Sequence, residues 1–410
     1  MYPALFIPEY ASEVKAKRVT HLTEPCVLDF SLTRGYKRNI LSMGNGMLRI
    51  AGTKIRKLRE DLGLTQEDLA KSVGLSSEYI SLLELGRRSP SLDSLSRIAK
   101  FLDKKISFFI MEKTDSLDSL IQGDKLDAKT KRILRRFRGG CDDYMQLEEM
   151  TGRPSDLAPL YANVRAEKLA EQERQRLDLG NHPIADVFSL LEQRGLHILR
   201  MGVPRDIPIA GIFVFLEYRQ AAFALINSNQ PYHQQILTAT HEYAHYLKDR
   251  YDGPIIDNPD IFIEDYISLY HGREKYAQTF ALHFLLPPKK LMDFIEKDLR
   301  TKQLDKEEIL YIRRYFDVSF IVLIQMLKKL EFISASQFKE YQEWDWEPYE
   351  TALFGPNNKT VPKKERGPSL LSDRFVSLVW DAYRLKKISA ERAARFLQVT
   401  EEKFLSFPLR

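Results

Sequence analysis

The sequence predicts a mainly α protein with one small β-sheet, an α+β chain of several domains. Three observations carry that expectation. Apolar residues recur at three- and four-residue spacing through most of the chain, as at Ile55, Leu58 and Leu62 and again at Ala277, Phe280, Ala281 and Phe284. That is the stripe of a helix with one buried face. Runs dense in β-branched and aromatic residues are confined to His197–Met201, Gly211–Leu216 and Ala222–Asn227, too few for more than a small sheet. The chain has 410 residues, where a domain most often has about 100–150.

The elements follow in order. Residues 1–50 show no clean period and read as an N-terminal extension. Met43 and Met47 sit just before the first patterned segment, so an alternative start lies at either. Residues 51–112 read as about five short helices, an all-α helix-turn-helix domain. Residues 113–165 are polar, charged and helix-prone, and read as a connector. Residues 166–335 form the largest predicted domain. It has helices at Ala166–Leu177 and Ile184–Gln193, then the three strands, then helices from Tyr232 to Ile333. Residues 336–368 read as a linker rich in Pro, Gly and charge. Residues 369–410 read as a C-terminal helical module, with Ser389 and Thr400 as N-caps.

Composition narrows the class. Hydrophobic residues make 44% and charged residues 29%, which excludes a chain disordered throughout. Two cysteines, Cys26 and Cys141, build neither a disulfide framework nor a Cys-based zinc site, and point to a reducing compartment. No apolar run approaches the ~20 residues of a membrane span, and no secretory signal is visible. The expectation is a cytoplasmic protein with no membrane partner.

Charge is unevenly placed. The net charge is +5, yet residues 1–140 hold 26 Lys/Arg against 17 Asp/Glu. A basic front end suits a polyanionic partner. Much of the excess comes from Lys129–Arg138, so a basic linker explains it equally. Residues 51–112 alone carry 11 basic and 9 acidic residues.

Within 51–112 the punctuation is specific. Thr65, with Asp68 three residues on, makes a capping box. Leu69, Ala70 and Val73 face inward, and Gly74 ends the helix. Ser76 caps the next helix, with Tyr79, Ile80 and Leu83 inward and Gly86 as its stop. Helix, short turn and second helix fit a DNA major groove. Ser76, Ser77, Glu78 and Ser81 then face outward to reach base edges, and Gln66 and Arg87 are placed for phosphates. The run from Thr65 to Leu95 resembles the Cro/repressor (XRE) helix-turn-helix family. The resemblance implies a double-stranded DNA operator as partner. A homodimer would add phosphate contacts. A small helical bundle that binds protein instead of DNA is the other reading.

The second motif is His241-Glu242-Tyr243-Ala244-His245 on a predicted helix. Two histidines four apart share one helical face and can turn a nitrogen to one metal. Glu242 is placed to act on a nearby water as general base. A third ligand is needed. Glu274 lies three residues before Ala277, near the buried stripe of its helix, where a carboxylate is costly unless paired or metal-bound. It is the leading third ligand and His271 the runner-up. His283 lies about half a turn from Glu274. It reads as packed or solvent-facing, and His233, His21, His182 and His197 as ordinary residues.

The segment from Ala166 to Leu330 resembles the ImmA/IrrE metallopeptidases. The resemblance rests on the strand ending Ala224–Asn229, the His241–His245 motif, Glu274–Pro287 and the run from Val318. It implies a zincin-like metallopeptidase domain with His241, His245 and Glu274 as ligands and Glu242 as base. Gln278 stands where the family usually has Asn, and Thr240 where it has Ala. Zinc is the expected ion, and imidazole with carboxylate also accepts manganese. The resemblance further implies cleavage of a repressor-type protein, so that the chain switches gene expression. Two alternatives stand beside it: a regulator whose peptidase fold is a sensor or scaffold, and an antitoxin-like component. The C-terminal module reads as a docking or dimerisation unit, or as a second DNA reader.

Overall fold

Among the described residues four strands form one sheet: β1 Leu196–Met201, β2 Gly211–Leu216, β3 Ala221–Asn227 and β4 Ile255–Asp257. Their order is β1-β3-β2-β4. β1 and β3 run parallel, while β2 is antiparallel to both β3 and β4. The first three match the runs read from the sequence. β4 is a fourth strand that the sequence did not disclose. The computed structural model describes residues 51–104, 106–110, 116–123, 126–180, 182–257, 272–301, 303–355 and 371–406. The N-terminal extension, His21, Met43, Met47 and His271 lie outside them. All described residues belong to one compact unit, Met47–Arg410.

The front helices are α1 (51–61), α2 Gln66–Val73, α3 Ser77–Glu84, α4 Leu92–Phe101 and α5 Ile106–Ile110. Local signals set their ends. Thr65 accepts from Asp68 N and Asp68 returns the bond, the reciprocal box that satisfies two orphan donors. Gly74 takes φ 65°, the left-handed backbone that closes α2 into the turn. Ser76 accepts from Tyr79 N and starts α3. Leu58, Leu69, Ile80, Leu83 and Ile98 fill the small core between them.

Next come α6 Ser116–Gln122, α7 Ala128–Thr151, α8 Ala166–Arg176 and α9 Val187–Glu192. α10 Tyr232–Lys248 and α11 Arg273–Leu285 follow the strands. One sheet face turns Ile198, Phe213, Phe215 and Ala224 toward α8, α10 and α11. The other turns Leu199, Ile212, Val214 and Phe223 toward α7 and the C-terminal helices. The period of two thus feeds two separate cores. α10 sits between sheet and helices, so its residues are buried on nearly every side from Leu237 to Leu247. Tyr243 packs on Phe280 and Phe284, which stack 5.3 Å apart. Each fully buried aromatic here is worth about 1.5–3 kcal/mol.

Three stretches read as peripheral lie inside this architecture. The expected linker 336–368 begins with the helices Ala335–Glu343 and Glu347–Phe354, which bury Phe338, Tyr341 and Glu350. The expected connector contains α7, whose Ile133, Leu134, Phe137, Cys141 and Tyr144 are buried against the sheet. Its basic residues occupy the opposite face, so the charge run hides a packing stripe. The C-terminal helix Asp373–Arg384 buries Phe375, Leu378, Val379 and Ala382 in the same layer. Arg374 donates to Glu148 at 2.7 Å and Arg392 to Gln146 at 2.6 Å. The C-terminal helices dock on α7, a cap on the sheet's second face. Among the described residues no helix is long and apolar enough to cross a membrane.

Candidate metal centre and nucleic-acid interface

The metal cluster begins with α10. His241 and His245, one turn apart, bring their Nε2 atoms within 3.1 Å. α11 supplies Glu274, whose Oε2 stands 3.3 Å from His241 Nε2 and 3.2 Å from His245 Nε2. An ion held tetrahedrally by N and O ligands at about 2.0–2.2 Å spaces them about 3.3–3.6 Å apart. The triangle is close to one face of such a tetrahedron. Arg273 Nε donates to the other Glu274 oxygen at 2.8 Å, which leaves Oε2 for the cluster. Asp249 Oδ2 lies 2.9 Å from His245 Nδ1 and fixes that ring.

A fourth residue joins them. Asp257, the last residue of β4, places Oδ2 3.3 Å from His241 Nε2 and 4.0 Å from His245 Nε2. The ligand atoms of His241, His245, Asp257 and Glu274 all lie within 4.8 Å of one another. Asp257 carries no spacing signal in the sequence. It ends a three-residue strand, and only the pairing of β4 with β2 brings it to α10. Asp249 and Arg273 were also missed, although an acid four residues after His245 and a cation beside Glu274 were there to be weighed. His283 is half-buried and meets Lys329 Nζ at 2.8 Å, while His233 lies in the first turn of α10. Neither belongs to the cluster. His197 is buried in the sheet, held by Ala222 O and Glu148.

Glu242 is fully buried, and its two oxygens find no protein hydrogen-bond donor. Asp257 Oδ2 is likewise buried without one. Burial first, then the Asp257 and Glu274 charges, hold the Glu242 carboxyl well above its ordinary range. Burial also raises Asp257. Burial alone would raise Glu274, but its contacts with His241 and His245 keep it well below the usual carboxylate range. Burial would lower His245, but Asp249 and Glu274 push it up to about 10. Three carboxyl groups crowd two imidazoles, and the pocket demands positive charge. A proton on His245 supplies some of it, and a divalent cation would supply it fully. The donor set and the orphaned oxygens fit such an ion.

Gly211 explains how Glu242 reaches the sheet. A Cβ on Gly211 would stand 2.0 Å from Glu242 Oε1 and 2.7 Å from Thr238 Cγ2. Only glycine lets the carboxyl lie against the start of β2.

In the front domain, Ser77, Glu78 and Arg87 are exposed and Ser81 is half-buried. Ser76 is exposed, but its hydroxyl caps α3. Gln66 Nε2 donates to Glu84 Oε2 at 2.7 Å. Arg59 donates to both Glu84 oxygens, at 2.6 and 3.0 Å, in a buried pair. Gln66 thus helps hold α1, α2 and α3 together, a role its outward placement did not suggest. Arg88, not singled out from the sequence, lies over the Tyr79 ring at 4.7 Å.

A helix-turn-helix family model matches residues 55–109. An HTH-type transcriptional regulator of Methanothermobacter thermautotrophicus is 51% identical over 53 residues, 13% of this chain and 77% of that protein. The chain belongs to the helix-turn-helix transcriptional regulators. The regulator y4dJ of Sinorhizobium fredii is 39% identical over 14% of this chain and 73% of its own. The cryptic phage CTXphi transcriptional repressor RstR of Vibrio cholerae is 30% identical over 20% of this chain and 68% of its own. A second model, the IrrE N-terminal-like domain, matches residues 214–328. That span contains His241, Glu242, His245, Asp257 and Glu274. This regulator therefore carries an IrrE-like domain and, inside it, a buried group able to hold a metal ion.

Proposed function

We propose that this regulator is also a metal-dependent endopeptidase that cleaves a repressor-type protein to switch gene expression. The observation that carries the reading is the unsatisfied Glu242 carboxyl beside the triangle of His241, His245 and Glu274. Zinc suits that donor set, with manganese the alternative. When bound, the ion supplies a Lewis acid for a peptide carbonyl and acidifies water. His241, His245 and Glu274 hold it, and Asp249 keeps the His245 ring in place. Glu242, with its raised proton affinity, takes a proton from the attacking water and returns it to the leaving amine. The wall made by Gly211 and Thr238 keeps its carboxyl from swinging away.

The helix-turn-helix directs this activity to an operator. Ser77, Glu78 and Ser81 would face bases, with Ser76 at the helix start, and Arg87 and Gln66 would approach phosphates. A homodimer would present two such units to a two-fold operator. The likeness to RstR, named a repressor, supports the operator reading.

The test sets wild type beside His241→Ala and Glu242→Gln. About one metal per chain is expected in wild type and in Glu242→Gln, and none in His241→Ala. Glu242→Gln should bind DNA but lose regulation. Normal regulation by that variant would sink the peptidase reading and leave a regulator whose IrrE-like domain is a sensor or scaffold.

A further inference from the structure

We propose that Asp257 is a fourth protein ligand that closes the metal site, so that the resting protein is latent. The inference rests on the metal-site reading above and adds to it how the site is regulated.

A peptidase site keeps three protein ligands and leaves the fourth position open. Here Asp257 Oδ2 stands near the fourth vertex, 4.0 Å from His245 Nε2. Asp257 Oδ2 stands 3.3 Å from His241 Nε2, the spacing Glu274 Oε2 keeps from the same atom. Asp257 is 2% exposed, and its Oδ2 makes no well-aligned hydrogen bond, facing His241 Nε2 at 3.3 Å and the Glu242 carboxyl. A buried carboxylate oxygen aimed at two imidazoles and left unsatisfied is costly unless a cation completes it.

The carboxyl is held by backbone. Gly211 pairs with Asp257 across the β2–β4 ladder, and Ala210 N donates to Asp257 O at 2.7 Å. Among the described residues three pairs hold β4, Gly211–Asp257, Ile212–Ile256 and Phe213–Ile255. So short an edge strand can leave β2 at small cost. Its departure would withdraw Asp257 and free at once a sheet edge and a metal position. A protein substrate needs both, since an extended peptide adds to a sheet edge through main-chain hydrogen bonds. β4 with Asp257 is therefore an internal stand-in for an extended, acid-bearing peptide.

The experiment uses the full-length protein loaded with cobalt(II), and compares wild type with Asp257→Asn and Asp257→Ala. Acetohydroxamate probes for an open metal position by its shift of the visible cobalt spectrum. Wild type should give a four-ligand spectrum and answer the probe at least tenfold more weakly than either variant. Zinc affinity, read by chelator competition, should fall about tenfold or more in both variants, at or beyond the effect of losing a supporting residue. Asp257→Asn keeps shape and backbone, and circular dichroism of both variants separates ligand loss from misfolding. Equal hydroxamate response and unchanged zinc affinity in a folded Asp257→Asn would overturn the proposal while leaving the three-ligand site intact. A wild type that binds no metal would overturn both.

Discussion

The helix-turn-helix and the metal cluster treat charge in opposite ways. In the front domain Ser77, Glu78 and Arg87, the residues proposed to meet DNA, are exposed. One buried pair, Arg59 with Glu84, is satisfied within the domain. In the cluster His241, Glu242, His245 and Asp257 are all buried, and several of their polar atoms have no internal donor. The front domain is complete as a fold before it meets DNA. The cluster leaves buried carboxyl oxygens without a hydrogen-bond donor and could hold a cation. The front domain reads a partner from a finished surface, whereas the cluster holds unfinished chemistry at the expense of stability.

The sharpest way to break that contrast is to unbalance the front domain's own pair. Glu84→Ala takes the two-pronged carboxylate from buried Arg59, leaving it Leu64 O and a 3.3 Å contact with Glu60, and takes the acceptor from Gln66. The expected cost is about 3–5 kcal/mol. Denaturant unfolding, followed by a probe in residues 51–104, should show it together with loss of operator binding. Metal content should stay at the wild-type level. A parallel loss of metal would mean that the two regions are one cooperative unit, for which there are physical routes. Lys104 pairs with Asp252 at 2.8 Å, Tyr251 donates to Asp61, and Lys248 pairs with Asp103, just past the helix that carries both histidines.

A smaller change tests the cluster alone. Gly211→Ala puts a methyl group into the Glu242 carboxyl and Thr238, and overpacking of this kind costs about 1–3 kcal/mol. The atoms nearest that methyl belong to Glu242 and Thr238, so metal binding should persist. Glu242 must move, and substrate hydrolysis should fall with operator binding unchanged. Full hydrolysis in a metal-loaded Gly211→Ala would show that the Glu242 position is not what limits the chemistry.

The two regions also differed in legibility. In the front domain nearly everything was local: Thr65 with Asp68, Gly74 and Ser76 set helix ends within four residues, and the structure has each where the pattern put it. What was hidden there was the pairing of Gln66 and Arg59 with Glu84, separations of 18 and 25 residues that no local rule reports. In the cluster the His241–His245 spacing was local, and Glu274 was reachable because burial of a carboxylate needs a reason. Asp257 was not reachable. Its strand is three residues long, its position depends on β2 forty-six residues earlier, and an acid between Ile256 and Asn258 reads as a turn. The same cause hid α7, where a basic face masked the apolar stripe that binds the sheet.

The smallest predicted effect separates a surface that reads from a surface that holds. Arg87 is exposed beyond α3, and Gln66 is half-buried and bonded to Glu84. If Arg87 meets a phosphate, Arg87→Ala should weaken operator and non-operator DNA alike. It should reduce the slope of log affinity against log salt by about one, with the unfolding midpoint unchanged. Gln66→Ala should instead lower the midpoint of the front domain, because Glu84 loses a donor inside the core. Its salt slope should stay near wild type. The paired titrations and melts check both at once. Should Arg87→Ala leave the slope intact, the phosphate contact falls to the neighbouring Arg88, whose guanidinium is steadied over Tyr79.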